Sequence, residues 1–180
     1  MASNLKIKFC FGLLMLSLTS CMGFKSSAST SSGKNLYETF FVGNDGTQYF
    51  IKPLSFTDKD KNRLTLDLTF RYKNQIKDSC IVNASFFDNA VHKSMDSVIV
   101  SNESVRVKLM DVKHLFSERS GNKVNSRFST KGSLIEVSKL FENANWKATI
   151  YFETKQIDYF PPQQTKRKID KLRYGIFMLF

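Results

Sequence analysis

Histidine and cysteine are scarce in this chain. Its 180 residues include only two histidines, His92 and His114, and three cysteines. The histidines are not spaced i, i+4, and no two cysteines have the short spacing of a zinc-binding pair. The sequence therefore lacks the ligand patterns of common zinc sites, and we predict neither a metal site nor a cofactor.

Glycine is also sparse, with eight residues, and the glycine-containing motifs of common enzymes are missing. The sequence has no Gly-x-Ser-x-Gly, no phosphate-binding loop and no dinucleotide fingerprint. A Ser/His/Asp triad is assembled in space without a fixed sequence spacing, so the sequence gives no support for one. We predict that the protein is not an enzyme.

The apolar run at the N-terminus is too short to span a bilayer, which takes about 20 residues. It covers residues 9–18 and follows the positive side chains of Lys6 and Lys8. A short basic region followed by about ten apolar residues is typical of a secretory signal peptide. We therefore predict a signal peptide over residues 1–20.

The residues that follow this run are Leu18-Thr19-Ser20-Cys21. This tetrapeptide resembles the lipobox of bacterial lipoproteins, in which small residues precede an invariant cysteine. The resemblance implies that signal peptidase II cleaves between Ser20 and Cys21, and that Cys21 is then acylated on its thiol and its amine. Two or three acyl chains hold a protein stably, at about 0.8 kcal/mol for each buried methylene.

A serine-rich segment separates Cys21 from the rest of the chain. Residues 21–34 have little to bury, so we predict a flexible tether. The resemblance to lipoproteins also implies a location, since residue 22 is Met rather than the Asp that retains lipoproteins in the inner membrane. The acidic surface-export signal of Bacteroidota lipoproteins is missing before Glu38. We therefore expect the protein on the periplasmic face of the outer membrane.

Residues 35–180 have the composition of one soluble domain, and their apolar residues mostly alternate with polar ones. Such alternation predicts strands with one wet face, and hence antiparallel sheets. Turn signals such as Asp45-Gly46 divide the segment into eight or nine strands. We predict an all-β fold, an antiparallel β-sandwich of Ig-like or jelly-roll style. The clearest strand has these residues on its apolar face: Leu64, Leu66, Leu68, Phe70 and Tyr72.

Two further segments allow specific predictions. Ser133 and Glu136 have the spacing of a capping box, which predicts one short helix ending near residue 143. At the C-terminus, helical and alternating patterns overlap, and we favour a final strand because Gly175 would weaken a helix by about 1 kcal/mol. Cys80 alternates with apolar neighbours, so we predict a buried thiol that serves as a small core residue.

Basic residues are in excess, with 27 Lys and Arg against 16 Asp and Glu. Without Lys6 and Lys8 the chain keeps 25 basic and 16 acidic residues, a net charge of +9. Such a charge attracts anionic partners, although a solvated strand edge guarded by lysines accounts for the same pattern. The densest basic stretch contains these candidate binding residues: Lys166, Arg167, Lys168, Lys171 and Arg173.

Tyr159 and Phe160 precede two prolines in a segment that reads as a loop. An exposed aromatic pair there would offer a contact surface for a partner, whereas the alternative is that both rings dock on the core. Base-stacking aromatics are not interleaved with the basic residues, so we predict no nucleic-acid partner.

These observations lead to two functional hypotheses. The first is a non-enzymatic envelope lipoprotein that binds another envelope protein or supports an assembly. The second is a binding module for an anionic glycan or lipid, which would use the basic face. The oligomeric state stays open.

Overall fold

The fold is predominantly antiparallel β, so the predicted all-β class is confirmed. A computed structural model describes residues 36–73, 79–152 and 155–179. Within these ranges it contains nine strands and two α-helices. In chain order they are β1 (Tyr37–Phe41), β2 (Thr47–Thr57), β3 (Arg63–Tyr72), β4 (Ser79–Asp88), β5 (Ser97–Ser101), β6 (Arg106–Ser120), β7 (Lys123–Ser133), α1 (Leu134–Leu140), β8 (Lys147–Phe152), β9 (Lys155–Tyr159) and α2 (Gln163–Gly175).

The strands form one sheet in the order β1-β2-β3-β4-β7-β6-β5-β8-β9, with every neighbouring pair antiparallel. The alternation predicted for β3 is confirmed, because Leu64, Leu66, Leu68 and Phe70 are all buried. Cys80 occupies the inner face of β4 and is also fully buried, as predicted.

The long strand β6 divides the sheet into two halves. Its first residues, through Leu109, pair with β5, whereas the residues from Met110 onward pair with β7. The register shifts just after Met110, and Asp111 has a positive φ of 53°. A β-bulge bends a strand in this way. The two halves of the sheet are therefore joined by a continuous but bent strand.

The two halves face each other across an aromatic core. The ring of Phe86 on β4 lies 5.9 Å from that of Phe152 on β8 and 6.3 Å from that of Tyr159 on β9. These strands are far apart in the sheet order, so the contacts require that the sheet folds over. Phe56 and Trp146 make a similar contact at 6.3 Å. The fold is thus sandwich-like, with phenylalanine as a main core residue.

A short backbone contact joins the two ends of the folded sheet. Thr57 at the end of β2 and Phe160 just after β9 exchange N–H···O bonds of 2.9 and 2.8 Å. The hydroxyl of Thr165 on α2 donates to the carbonyl of Ser55 on β2 at 2.7 Å. The C-terminal segment therefore closes against β2.

Helix α1 begins where the capping box predicts. Ser133 is its N-cap and its hydroxyl accepts from the Glu136 amide at 3.5 Å. Leu134 and Val137 are buried on one side of the helix, together with Phe141 just beyond it. The indole N–H of Trp146 donates to the carbonyl of Leu140 at 2.6 Å, which satisfies an end-of-helix acceptor.

The predicted C-terminal strand is wrong, because residues 163–175 form α2. Thr165, Ile169, Leu172 and Ile176 are buried at helical spacing, so one stripe packs on the core. Gly175 is the last residue of the helix, where it adds little of the interior cost that argued against a helix.

The chain beyond α2 forms a 3₁₀ turn over Phe177–Leu179. Phe177 is buried and stacks on Phe141, with the ring centroids 3.7 Å apart. Among the described residues, no helix is long and apolar enough to cross a membrane.

The hairpin between β1 and β2 forms at the predicted Asp45-Gly46 turn, with a 3₁₀ turn over Gly43–Asp45. Gly46 has a φ of +89°, and a Cβ there would lie 2.3 Å from the carbonyl oxygen of Tyr72. Only glycine fits this position without displacing the backbone.

Candidate functional site

The predicted lipidation site lies outside the described residues. Ser20, Cys21 and the tether over residues 21–34 precede Leu36, the first residue that the structure describes. The signal peptide, the cleavage between Ser20 and Cys21 and the acylation of Cys21 therefore stay predictions.

The five candidate basic residues all lie on α2 rather than on a strand edge. Arg167 and Lys171 are exposed, and Lys166, Lys168 and Arg173 are half-buried at the borders of the helix. At about 100° per residue, these positions cover the arc opposite the buried stripe. We call this surface the α2 basic face; it comprises Lys166, Arg167, Lys168, Lys171 and Arg173.

No ion pair joins the α2 basic face to a carboxylate in the described part of the chain. Lys166 donates to the side-chain oxygen of Asn145 at 2.9 Å. The guanidinium of Arg173 lies 5.5 Å from the centroid of the Tyr174 ring, which is 67% exposed. Lys166 and Arg173 thus contact neutral groups, and the exposed Asp170 is the one acidic residue of α2 among its five cations.

The helix itself adds to the positive potential. The first turn of α2 contains no acidic residue, and Lys166, Arg167 and Lys168 follow closely. The N-terminus of a helix carries about half a positive elementary charge, so cations there are less favourable than at the C-terminus. The arrangement concentrates positive charge at the expense of helix stability.

Tyr159 and Phe160 are separated by the fold, and this corrects the prediction for Tyr159. Tyr159 is 1% exposed because it closes β9 and contacts Phe86 in the core, so it cannot meet a partner. Burial raises the pKa of its phenol well above the ordinary value. Phe160 is 53% exposed and is the member of the pair that faces solvent.

The guanidinium of Arg127, on β7, is hydrogen-bonded to side chains of β3 and β4. Its guanidinium donates to both carboxylate oxygens of Asp67, at 3.0 and 2.8 Å, and to the hydroxyl of Ser85 at 2.7 Å. Asn83 donates to the same carboxylate at 2.8 Å. This network crosses β3, β4 and β7 on the outer side of the sheet. Sequence reasoning missed it, because its members are up to 60 positions apart.

The two histidines lie in one polar cluster. His92 pairs with Asp88 through Nε2 at 2.6 Å, and its ring stacks on Phe152 at 4.6 Å. The backbone N–H of His92 donates to the Ser126 hydroxyl at 3.1 Å. The Ser117 hydroxyl donates to the Ser126 hydroxyl at 3.1 Å. These bonds tie the loop after β4 to the hairpin of β6 and β7.

A cleft of about 570 Å³ opens beside this cluster, with Lys93, His114, Ser117 and Arg119 in its lining. His114 Nε2 lies 2.9 Å from the Ser117 hydroxyl, which is the separation of a base and a nucleophile. In the described chain no carboxylate orients the other nitrogen of His114. The Ser117 hydroxyl also contacts the carbonyl of His92 at 3.3 Å. The geometry is that of a loop anchor rather than of an activated serine.

Within the described ranges, no three His, Cys, Asp or Glu side chains come together in a group that could hold a metal ion. The carboxylate of Asp58 accepts from the amides of Asp60 and Asn62, at 2.8 Å each, and so forms a turn. Cys80 has its pKa raised to about 12 by burial, which keeps the thiol neutral and unreactive.

An exposed apolar surface was missed by the sequence analysis. Phe40, Phe41 and Val42 at the end of β1 are 56%, 78% and 37% exposed. Phe50 on β2 and Ile81 on β4 share the outer side of the sheet with Phe40, at 39% and 37% exposed, whereas strand alternation places Phe41 on the opposite side at the hairpin end. The available signal was three successive apolar residues at a hairpin end, where a one-sided strand needs only alternate ones. We call these five residues the hairpin patch.

Comparison of the chain with protein-family models, with curated proteins and with solved structures gives no match.

Proposed function

We propose that this protein is a lipid-anchored, non-enzymatic lipoprotein of the bacterial envelope, held on the periplasmic face of the outer membrane. We propose further that it binds an acidic surface of another envelope protein through the α2 basic face. The observation that carries this proposal is the set of five cations on one helix without a carboxylate partner among the described residues.

The helix that carries these cations is anchored to the core of the protein. Ile169 and Leu172 are 0% and 1% exposed, and the Thr165 hydroxyl ties the first turn of α2 to β2. A helix fixed in this way presents its charged residues on a constant backbone, so little backbone order has to be created on binding. Pre-organised positive charge of this kind steers an acidic partner and increases the association rate.

The absence of catalysis in this proposal has two supports. The sequence has few of the residues that enzymes use, and the most suggestive pair, His114 and Ser117, has its hydroxyl tied into the loop contacts described above. We therefore assign the His114 cleft a structural role.

A second candidate is an anionic glycan or lipid headgroup bound at the same face. Tyr174 favours it, because an exposed aromatic ring beside Arg173 offers an apolar surface to a sugar while the cations bind its acidic groups. The same charge-reversal variant tests both candidates, and the identity of the recovered molecule separates them.

Recovery of partners from detergent-solubilised envelopes tests the binding proposal. The variant carries Arg167→Glu, Lys168→Glu and Lys171→Glu, and the matched control carries Lys59→Glu, Lys108→Glu and Lys155→Glu, three exposed lysines on other elements. We expect a stoichiometric protein with the native chain and the control but not with the α2 variant. Recovery of a glycan or lipid instead supports the second candidate, and equal recovery by both variants contradicts both.

Ionic strength gives an independent test of the same contact. Raising the salt from about 0.01 M to about 0.15 M shortens the Debye length from about 30 Å to about 8 Å. Binding through exposed cations therefore weakens over this range, whereas binding through an apolar surface does not.

The lipid anchor is tested separately by incorporation of a labelled fatty acid. We expect label in the native chain and none in the Cys21→Ser variant. Equal labelling of the two chains contradicts the lipoprotein assignment.

A further inference from the structure

The hairpin patch has the composition of a surface that meets an apolar environment. Phe40 and Phe50 lie on the outer side of the sheet, with their rings edge to face and the centroids 5.5 Å apart. Register places Thr69 between Phe50 and Ile81 on three adjacent strands. Phe40, Phe50 and Ile81 therefore form a partly apolar area on the outer surface, bordered by Gln48 and Arg71 and separate from the network of Asp67 and Arg127.

The end of the hairpin carries apolar side chains on both sides of the sheet, because strand alternation places Phe41 on the side opposite Phe40. Phe41 is the most exposed large apolar side chain of the described residues, and Val42 follows at the turn. Across the turn over Gly43–Asp45, the backbone N–H of Val42 donates to the carbonyl of Gly46 at 2.8 Å. Large apolar side chains at the end of a rigid hairpin are suited to insertion into a bilayer interface.

The chain outside the structure identifies the surface that this patch meets. Fourteen residues lie between Cys21 and Leu36, which leads directly into β1. For the flexible tether that the sequence predicts, this length corresponds to a root-mean-square reach of about 20 Å. A lipid on Cys21 therefore holds β1, the first strand, closer to the membrane than a long tether would.

The borders of the patch fit a lipid interface as well. The Nζ of Lys52 lies 3.3 Å from Oε1 of Glu38. Lys131 on β7 is directly opposite Ile81 on β4 in the register of the two strands. Long lysine side chains cover apolar surface with their methylenes and hold their charge at the headgroups.

We propose that the hairpin patch lies on the phospholipid bilayer to which Cys21 is anchored, with Phe40, Phe41 and Val42 in the interface. This inference rests on the proposed lipoprotein function. It gives the tethered domain a fixed orientation, instead of free rotation about the tether.

Depth-dependent fluorescence quenching tests this orientation in the full chain. A full chain that carries Phe41→Cys is purified with its lipid anchor, and the introduced thiol is labelled with an environment-sensitive fluorophore. The labelled protein is then placed in phosphatidylethanolamine–phosphatidylglycerol vesicles that contain nitroxide lipids. Cys10 is lost with the signal, Cys21 is blocked by lipid, and Cys80 is buried, so the introduced thiol is the one that reacts. The matched control is Ile135→Cys on α1, 49% exposed.

We expect strong quenching at position 41 by nitroxides about 5–10 Å below the headgroups and little at position 135. A chain that also carries Phe40→Ser and Phe50→Ser is expected to lose most of the quenching at position 41, whereas Met178→Ser, a matched change at an exposed apolar residue of the C-terminal turn, leaves it unchanged.

Three outcomes overturn the inference. These are no quenching at either position, equal quenching at both, and self-quenching that rises with protein density without lipid quenching, which indicates contact with a second copy. Mass spectrometry of Cys21 separates these from a failure of the lipoprotein proposal. An acylated Cys21 with an unquenched probe refutes the orientation alone, and an unmodified Cys21 refutes the anchor itself.

Discussion

Two solvent-facing surfaces of this protein carry arginine in opposite surroundings. Arg127, on the outer side of the sheet, meets Asp67 and Ser85 through three hydrogen bonds, and its side chain is 25% exposed. Arg167, on α2, is exposed and has no carboxylate partner among the described residues. Arg127 is therefore held in the folded structure by hydrogen bonds, whereas Arg167 projects from the surface into solvent.

The difference follows from the cost of desolvation. A charge that loses much of its water needs hydrogen bonds and an opposite charge in return, so a half-buried arginine requires a built network. A fully hydrated cation needs neither, and its charge stays available to another molecule. The comparison therefore separates positions where mutation harms stability from positions where it harms binding.

The largest effect is expected beneath the α2 basic face. Ile169→Ala removes a fully buried side chain and should lower the free energy of unfolding by about 2–5 kcal/mol, because it leaves a cavity under the helix. Urea denaturation measures this. Lys171→Ala, on the exposed side of the same helix, is the control and should change stability by less than about 0.5 kcal/mol. Similar losses from both would place α2 away from the core.

The next effect tests the paired arginine. Arg127→Met should lower the free energy of unfolding by about 1.5–3 kcal/mol, because Asp67 keeps its half-buried charge without its main donor. The matched control is Arg167→Met. Adding Asp67→Asn to Arg127→Met should recover part of the loss, since the stranded charge is then removed. Additive losses would show that the two side chains do not act together.

A third test creates a charge inside the protein. The pKa of Cys80 is raised from 9.0 to about 12 by burial, so the neutral thiol is favoured in the folded state. Burial of the neutral thiol leaves the free energy of unfolding undiminished while the pH is below about 9, the pKa of the thiol in the unfolded chain. As the pH rises from about 9 to about 12, the unfolded chain is deprotonated first and the folded state loses stability.

The Cys80→Ala variant isolates this contribution. Tyr49 and Tyr159 also have raised pKa values, so alkaline pH destabilises both chains, but the native chain should lose more. Parallel curves of urea midpoint against pH for the two chains would contradict the buried neutral thiol.

The smallest effect is expected for the α2 basic face itself. Arg167→Glu with Lys171→Glu should change the free energy of unfolding by less than about 0.5 kcal/mol, because neither side chain has an ion-pair partner in the described chain. The same variant should lose its envelope partner. A loss of stability above about 1 kcal/mol would mean that these cations hold the fold together, and it would remove the main contrast with Arg127.

The sequence predicted those features that depend on neighbouring residues. The alternation from Leu64 to Phe70 defined β3, and Ser133 with Glu136 located the start of α1. The C-terminal helix was missed because the alternating residues after Leu172 gave a competing period, and only tertiary packing of Ile169 and Phe177 decides between the two.

The candidate sites divide in the same way. The basic stretch is visible in the sequence because its five members lie within eight successive residues, although its helical form is not. The network of Asp67 and Arg127 was invisible, because strand order brings distant residues together. Tyr159 and Phe160 are neighbours in sequence with opposite exposures, since successive side chains of an extended chain point to opposite sides and Phe160 continues the extension of β9 through its bridge to Thr57.

The closing contacts between the C-terminal segment and β2 have a consequence for the timing of folding. Ser55 and Thr165 are 110 residues apart. At about 5–20 residues per second, a ribosome needs roughly 5–20 s to synthesise the chain between them. Throughout that interval the inner side of β2, with Leu54 and Phe56, has no C-terminal cover. The contacts between α2 and β2 can therefore form only after these 110 residues have been synthesised, so the packing of α2 on β2 is a late event in the folding of the chain.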